Sequence, residues 1–123
     1  MIHYDSFPET AAEGVRRGVE LLDEKRPGWA TEYDEFAPEA GQYKINVACL
    51  DLESATWCVL GQLYETADPF DSGYSFGLRK LSDEGTIIHG GTYGFDQSPA
   101  SADEFADLTE AWADVIIQRR QAV

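Results

Sequence analysis

The C-terminal third of the chain carries the strongest constraint on its fold. Phe105, Leu108, Trp112, Val115 and Ile116 recur at intervals of three and four residues. That spacing draws one apolar stripe on an α-helix. Such a helix gains most of its stability by laying the stripe on a core. Ser101 is a candidate N-cap for it, with acids in the first turn. Arg119 and Arg120 fall in its last turn, where they suit the helix dipole.

The segment Trp57-Cys58-Val59-Leu60-Gly61-Gln62-Leu63-Tyr64 is apolar nearly all round. This predicts a central, covered helix, capped by Ser54 and running to about Tyr64. Gly61 weakens a helix, so its expected use is close approach of another element. A further helix signal opens at Thr10. Thr10-Ala11-Ala12-Glu13 has the form of a capping box, and Val15, Val19 and Leu22 follow at helical spacing. Its stop is expected near Arg26, before Pro27-Gly28. Glu13, Arg17, Glu20 and Glu24 lie opposite the apolar residues. Glu13–Arg17 and Arg16–Glu20 are i,i+4 pairs, so this outer face is mixed in sign. A short helix is expected through Leu78 and Leu81.

Other segments carry β or loop patterns. Tyr43 to Cys49 alternates with period two and predicts a strand. Thr86 to His89 and Thr92 to Phe95, around Gly90-Gly91, fit a hairpin or an irregular loop. Trp29, Tyr33 and Phe36 are expected to pin an acidic loop to the core. The fold class that follows is mainly α: a single domain over 1–123, helices around a central apolar helix, with a minor β-hairpin or short strands. The expected core is Val15, Val19, Leu22, Trp29, Trp57, Leu60, Leu63, Leu108, Trp112, Val115 and Ile116.

Charge narrows the function. The 123 residues include 9 Lys and Arg against 23 Asp and Glu, a net charge of −14. Nucleic acids and anionic membranes would repel such a chain. Cationic protein surfaces, metal ions and cationic small molecules remain as partners. No stretch approaches the ~20 apolar residues of a spanning helix. The Met1 to Ser6 segment lacks the basic and apolar regions of a secretory signal. Cys49 and Cys58 are too few for a disulfide scaffold; a single bridge between them would go with export, and two reduced, buried thiols in a cytosolic protein are the expectation.

Site-like strings are weak. Gly73-Tyr74-Ser75-Phe76-Gly77 matches G-x-S-x-G, but no buried strand precedes it. His89-Gly90-Gly91 resembles an oxyanion loop, yet it follows the serine where that loop should precede it. His3, Cys49, Cys58 and His89 show no zinc spacing. No catalytic residue, metal or cofactor is expected.

The acidic residues of the last helix are more telling. Asp103, Asp107, Glu110 and Asp114 are spaced i, i+4, i+7 and i+11, opposite the apolar stripe. No Lys or Arg occurs between Lys80 and Arg119. The row would span about 16 Å at ~1.5 Å per residue. One strand of B-DNA sets a phosphate about every 3.4 Å. The row is therefore either a solvated exterior or a decoy for the basic, cationic groove of a nucleic-acid-binding protein, shaped as a nucleic-acid mimic. An alternative is a small-ligand pocket at the Gly-rich segment 89–94, formed by Tyr74, His89, Gly90, Gly91 and Tyr93. A homo-oligomeric structural protein is a third reading.

Several strings carry a family resemblance: Leu21-Leu22-Asp23-Glu24, Pro27-Gly28-Trp29, Leu50-Asp51-Leu52 and Cys58-Val59-Leu60-Gly61-Gln62-Leu63-Tyr64. Gly77-Leu78, Tyr93-Gly94-Phe95-Asp96 and Leu108…Ala111-Trp112 follow in the same order. Together they resemble a group of small uncharacterised proteins encoded by actinobacterial phages and related host genomes. The resemblance implies a phage or mobile-element accessory protein acting in the bacterial cytoplasm. It brings no catalytic residues. By analogy, such a protein suits host interaction or counter-defence inhibition.

Overall fold

The structure is a computed structural model, and it describes residues 4–33, 43–64, 68, 70–82 and 87–122. These residues hold four α-helices: α1 (Ala11–Lys25), α2 (Val59–Leu63), α3 (Gly73–Leu81) and α4 (Phe105–Gln121). Short 3-10 turns occupy Trp29–Thr31, Val47–Cys49 and Gly90–Tyr93. The fold is mainly helical, as the periodicity predicts. Among the described residues β structure is limited to one isolated antiparallel bridge, Tyr33 to Tyr43.

α1 starts where its cap predicts. The Thr10 hydroxyl accepts the Glu13 N–H at 3.1 Å. Both expected charge pairs form: Arg17 to Glu13 at 3.3 Å and Arg16 to Glu20 at 3.2 Å. Arg17 nevertheless departs from the expected solvated face. Residues 4–10 fold back over the helix and bury it, with its guanidinium 4.3 Å from the Tyr4 ring centroid. It also donates to the Ser6 carbonyl at 2.7 Å.

α4 lays its stripe on α1 and on the Trp29 turn. Leu108, Trp112 and Ile116 are buried, while Val115 and Phe105 are partly so. The Trp112 indole is the hub. It meets Trp29 edge-on at 5.8 Å, stacks on Phe95 at 5.5 Å and donates Nε1–H to the Gly94 carbonyl at 2.6 Å. Polar ties hold both ends of the α1–α4 pair. At one end the Asp103 carboxylate accepts the Ala11 N–H at 2.7 Å, and the Ser98 hydroxyl donates to the Pro8 carbonyl at 2.6 Å. At the other, Arg119 makes two bonds of 2.8 Å to Asp23.

The central apolar helix is present but short. α2 is buried throughout. Ser54 does not start it. Its hydroxyl accepts the Thr56 and Trp57 N–H groups, capping a preceding turn. The helix proper is capped by Cys58, whose thiol sulfur accepts the Gly61 N–H at 3.2 Å. Gly61 serves close approach, as expected. A Cβ there would sit 2.5 Å from the Ala55 and Thr56 carbonyl oxygens, and Gly73 of α3 packs directly on it.

Five further expectations need correction. The 43–49 segment is no strand. Ile45 is buried, but the Asn46 N–H goes to the Gln62 side chain at 2.7 Å, and Val47–Cys49 turns as a 3-10 helix. The described part of the 86–95 segment makes no hairpin. The Thr92 N–H bonds back to the His89 carbonyl, which winds Gly90–Tyr93 into a turn. Trp57 is 49% exposed, because it ends the turn ahead of α2 and sits outside the core. Cys58 is buried as expected, but Cys49 is exposed at the end of its turn. Of the aromatics expected to pin the loop, Trp29 is buried and Tyr33 is exposed, stacked on Tyr43 at 5.3 Å. Phe36 and His3 lie outside the described residues. No helix among the described residues is long and apolar enough to cross a membrane.

Candidate acidic docking face

α4 begins at Phe105, two residues beyond Asp103. The Asp107 carboxylate accepts the Glu104 N–H at 2.9 Å, which ties off the first turn. Ser101 acts just upstream, its hydroxyl accepting the Asp103 N–H at 3.0 Å. Asp103 therefore sits ahead of the helix, half-buried, with its carboxylate turned to the start of α1. The row on the helix itself is Asp107, Glu110 and Asp114. At ~1.5 Å per residue it spans about 10 Å, shorter than the spacing alone predicts.

These three carboxylates are exposed. No ion pair among the described residues reaches them. The arginines are held elsewhere. Arg16 and Arg17 pair with Glu13, Arg26 with Glu32, Arg79 with Asp71 and Arg119 with Asp23. Arg120 donates to the Ala30 and Ile45 carbonyls at 2.9 and 2.7 Å, with its guanidinium 3.9 Å from the Tyr43 ring centroid. A residue that helix-dipole reasoning places at a helix end is thus a staple between two loops.

The neighbouring loop adds acids that sequence reasoning missed. The Leu52 N–H donates to the Thr109 hydroxyl at 3.0 Å. This seats the exposed Asp51 and Glu53 beside the first turns of α4. Their separation from Asp107 in sequence hides the relation; only the Thr109 contact reveals it.

The residues of the alternative site come together, but as packing. The Tyr74 hydroxyl lies against Gly90, where a Cβ would be 2.1 Å from it. His89 Nδ1 accepts the Gly91 N–H at 3.1 Å, and its ring meets Phe7 edge-on at 4.9 Å. Tyr93 is buried and meets Tyr4 edge-on at 5.9 Å. The crevice beside Gly91 and Gly94 measures about 10 Å³, at the limit for one water. The G-x-S-x-G serine lies in the first turn of α3, with its N–H and hydroxyl both bonded to Ser72. That is a capped helix start, without the strained exposure of a nucleophile elbow. Among the described residues no three metal-binding side chains gather.

Comparison with known protein families, curated proteins and solved structures finds no match to this chain.

Proposed function

We propose that this chain is a non-enzymatic accessory protein of the phage or mobile-element kind, acting in a bacterial cytoplasm. It docks on a cationic surface of a host protein through Asp107, Glu110 and Asp114. The docked face imitates a nucleic-acid backbone or blocks a defence protein in its place. One observation carries this reading: an exposed acidic row on a braced helix with no ion pair among the described residues, in a molecule whose arginines are bound up with other partners. A rigid row presents its charges without an ordering cost on binding. Asp51 and Glu53 widen the same field, which speeds encounter with a basic partner.

The test compares wild type with the triple variant Asp107→Lys, Glu110→Lys, Asp114→Lys. Each is immobilised and exposed to actinobacterial lysate and to purified DNA-binding proteins at rising salt. The wild type should retain a basic protein, and retention should fade as the Debye length shrinks from about 30 Å at 0.01 M to about 3 Å at 1 M salt. A folded triple variant should lose it. Equal retention by the variant, or retention indifferent to salt, overturns the assignment.

A further inference from the structure

A groove of about 200 Å³ opens between the Leu52 to Ala55 turn, Tyr74 of α3 and Asp96. At ~30 Å³ per water-sized group it holds about seven such groups, the bulk of a small organic molecule. Its walls are fixed from behind. Leu52 is tied to Thr109, the Tyr74 N–H to the Ala55 carbonyl at 3.2 Å, and the Tyr74 hydroxyl is wedged against Gly90.

The lining selects by charge. Glu53 and Asp96 supply two carboxylates, and no Lys or Arg is among the described residues that line the groove. The Glu53 carboxylate makes no bond to any described residue. Asp96 accepts the Gln97 N–H on Oδ1 at 2.7 Å and the Tyr74 hydroxyl on Oδ2 at 3.3 Å. Each of its oxygens keeps a lone pair for a further donor. Burial, then the Asp96 charge, holds the Tyr74 phenol above its usual pKa, so it stays protonated and its ring stays a neutral π-face. The Ser54 hydroxyl oxygen accepts two backbone N–H groups, which fills its lone pairs. An anion would be repelled, and a neutral guest would desolvate carboxylates without an opposite charge to offset the cost.

We propose that this groove binds a small primary alkylammonium ion, its head on Asp96 and Glu53 and its chain along Leu52, Ala55 and the Tyr74 ring. The site does not rest on the docking reading: it needs Asp96 and Tyr74, which the docking face does not use, and shares only Glu53 with the acidic field around that face. The two carboxylates act together on the ammonium charge, while the Tyr74 ring gives the chain an apolar contact.

The test is an amide NMR titration of the intact chain with butylammonium chloride, beside butan-1-ol and magnesium chloride. Saturable shifts should centre on residues 52–55, 74 and 96 with butylammonium alone. Asp96→Asn and, separately, the exposed Glu53→Gln should each weaken binding about tenfold. Glu110→Gln with Asp114→Asn should leave it unchanged. The proposal is overturned if shifts spread over the acidic surface and ignore Asp96→Asn and Glu53→Gln. It is equally overturned if butan-1-ol or magnesium binds as well, or if no saturable shift appears.

Discussion

At the scale of single residues, Trp112 and Asp23 do the joining. The Trp112 Nε1–H satisfies the buried Gly94 carbonyl while the ring separates Trp29 from Phe95. Trp112→Phe keeps an aromatic but orphans that carbonyl, at a cost of about 1–3 kcal/mol. Chemical denaturation should show the loss as a lower midpoint. Asp23 receives Arg119 and the Trp29 indole N–H. The Arg119 hydrogen bonds outweigh burial, the next-largest effect, and with the Trp29 indole hold its carboxyl below the usual range. Arg16 likewise draws Glu13 down to about 2. Both folded values lie below the unfolded ones near 4. Their stabilisation is therefore fully present above about pH 5 and is lost as pH falls through 4 towards 2. Melting temperature measured across that window should drop for wild type. It should drop less steeply for Asp23→Asn, which begins from a lower value.

At the scale of elements, α1, α3 and α4 were legible because a 3.6-residue period states which face is buried. The 43–49 segment was misread because alternation states only that every second side chain is covered. Gln62 takes the place of a neighbouring strand there, and a side chain 16 residues away leaves no mark on the local pattern. The length of α2 was hidden by a thiol acting as its cap. The acidic row was legible apart from Asp103, which α1 claims through a contact 92 residues distant. Of the groove at Tyr74 and Asp96 only Tyr74 was singled out, with other neighbours, since three separate segments make it. Two predictions belong here. Asp103→Ala should destabilise by about 0.5–2 kcal/mol, the usual worth of an N-terminal helix acceptor. It should do so without weakening partner retention, which separates its role from that of Asp107, Glu110 and Asp114. Gly61→Ala should cost about 1–3 kcal/mol, because the new methyl meets two backbone carbonyls that have little room to move. Thermal unfolding checks both.

At the scale of the whole molecule, a charge of −14 opposes compaction. Melting temperature should rise with sodium chloride at neutral pH as that repulsion is screened. Glu110→Gln with Asp114→Asn should stabilise slightly, by a few tenths of a kcal/mol, since like charges at i,i+4 disfavour the helix. A loss of stability in that double variant would mark these carboxylates as structural and remove the reason to call the face a docking surface. Asp107 is left out of this test because it ties off the helix start.

The ties between the two long helices also set the order in which the chain can fold. Pro8 waits for Ser98, Ala11 for Asp103, Asp23 for Arg119 and Ala30 for Arg120. Each joins the first quarter of the chain to the last. A ribosome making this protein emits α1 before the elements that cover it, the Gly90–Tyr93 turn and, last, α4. Contacts so distant in sequence slow folding and lengthen that exposure. During it, a net charge of −14 opposes association between like chains.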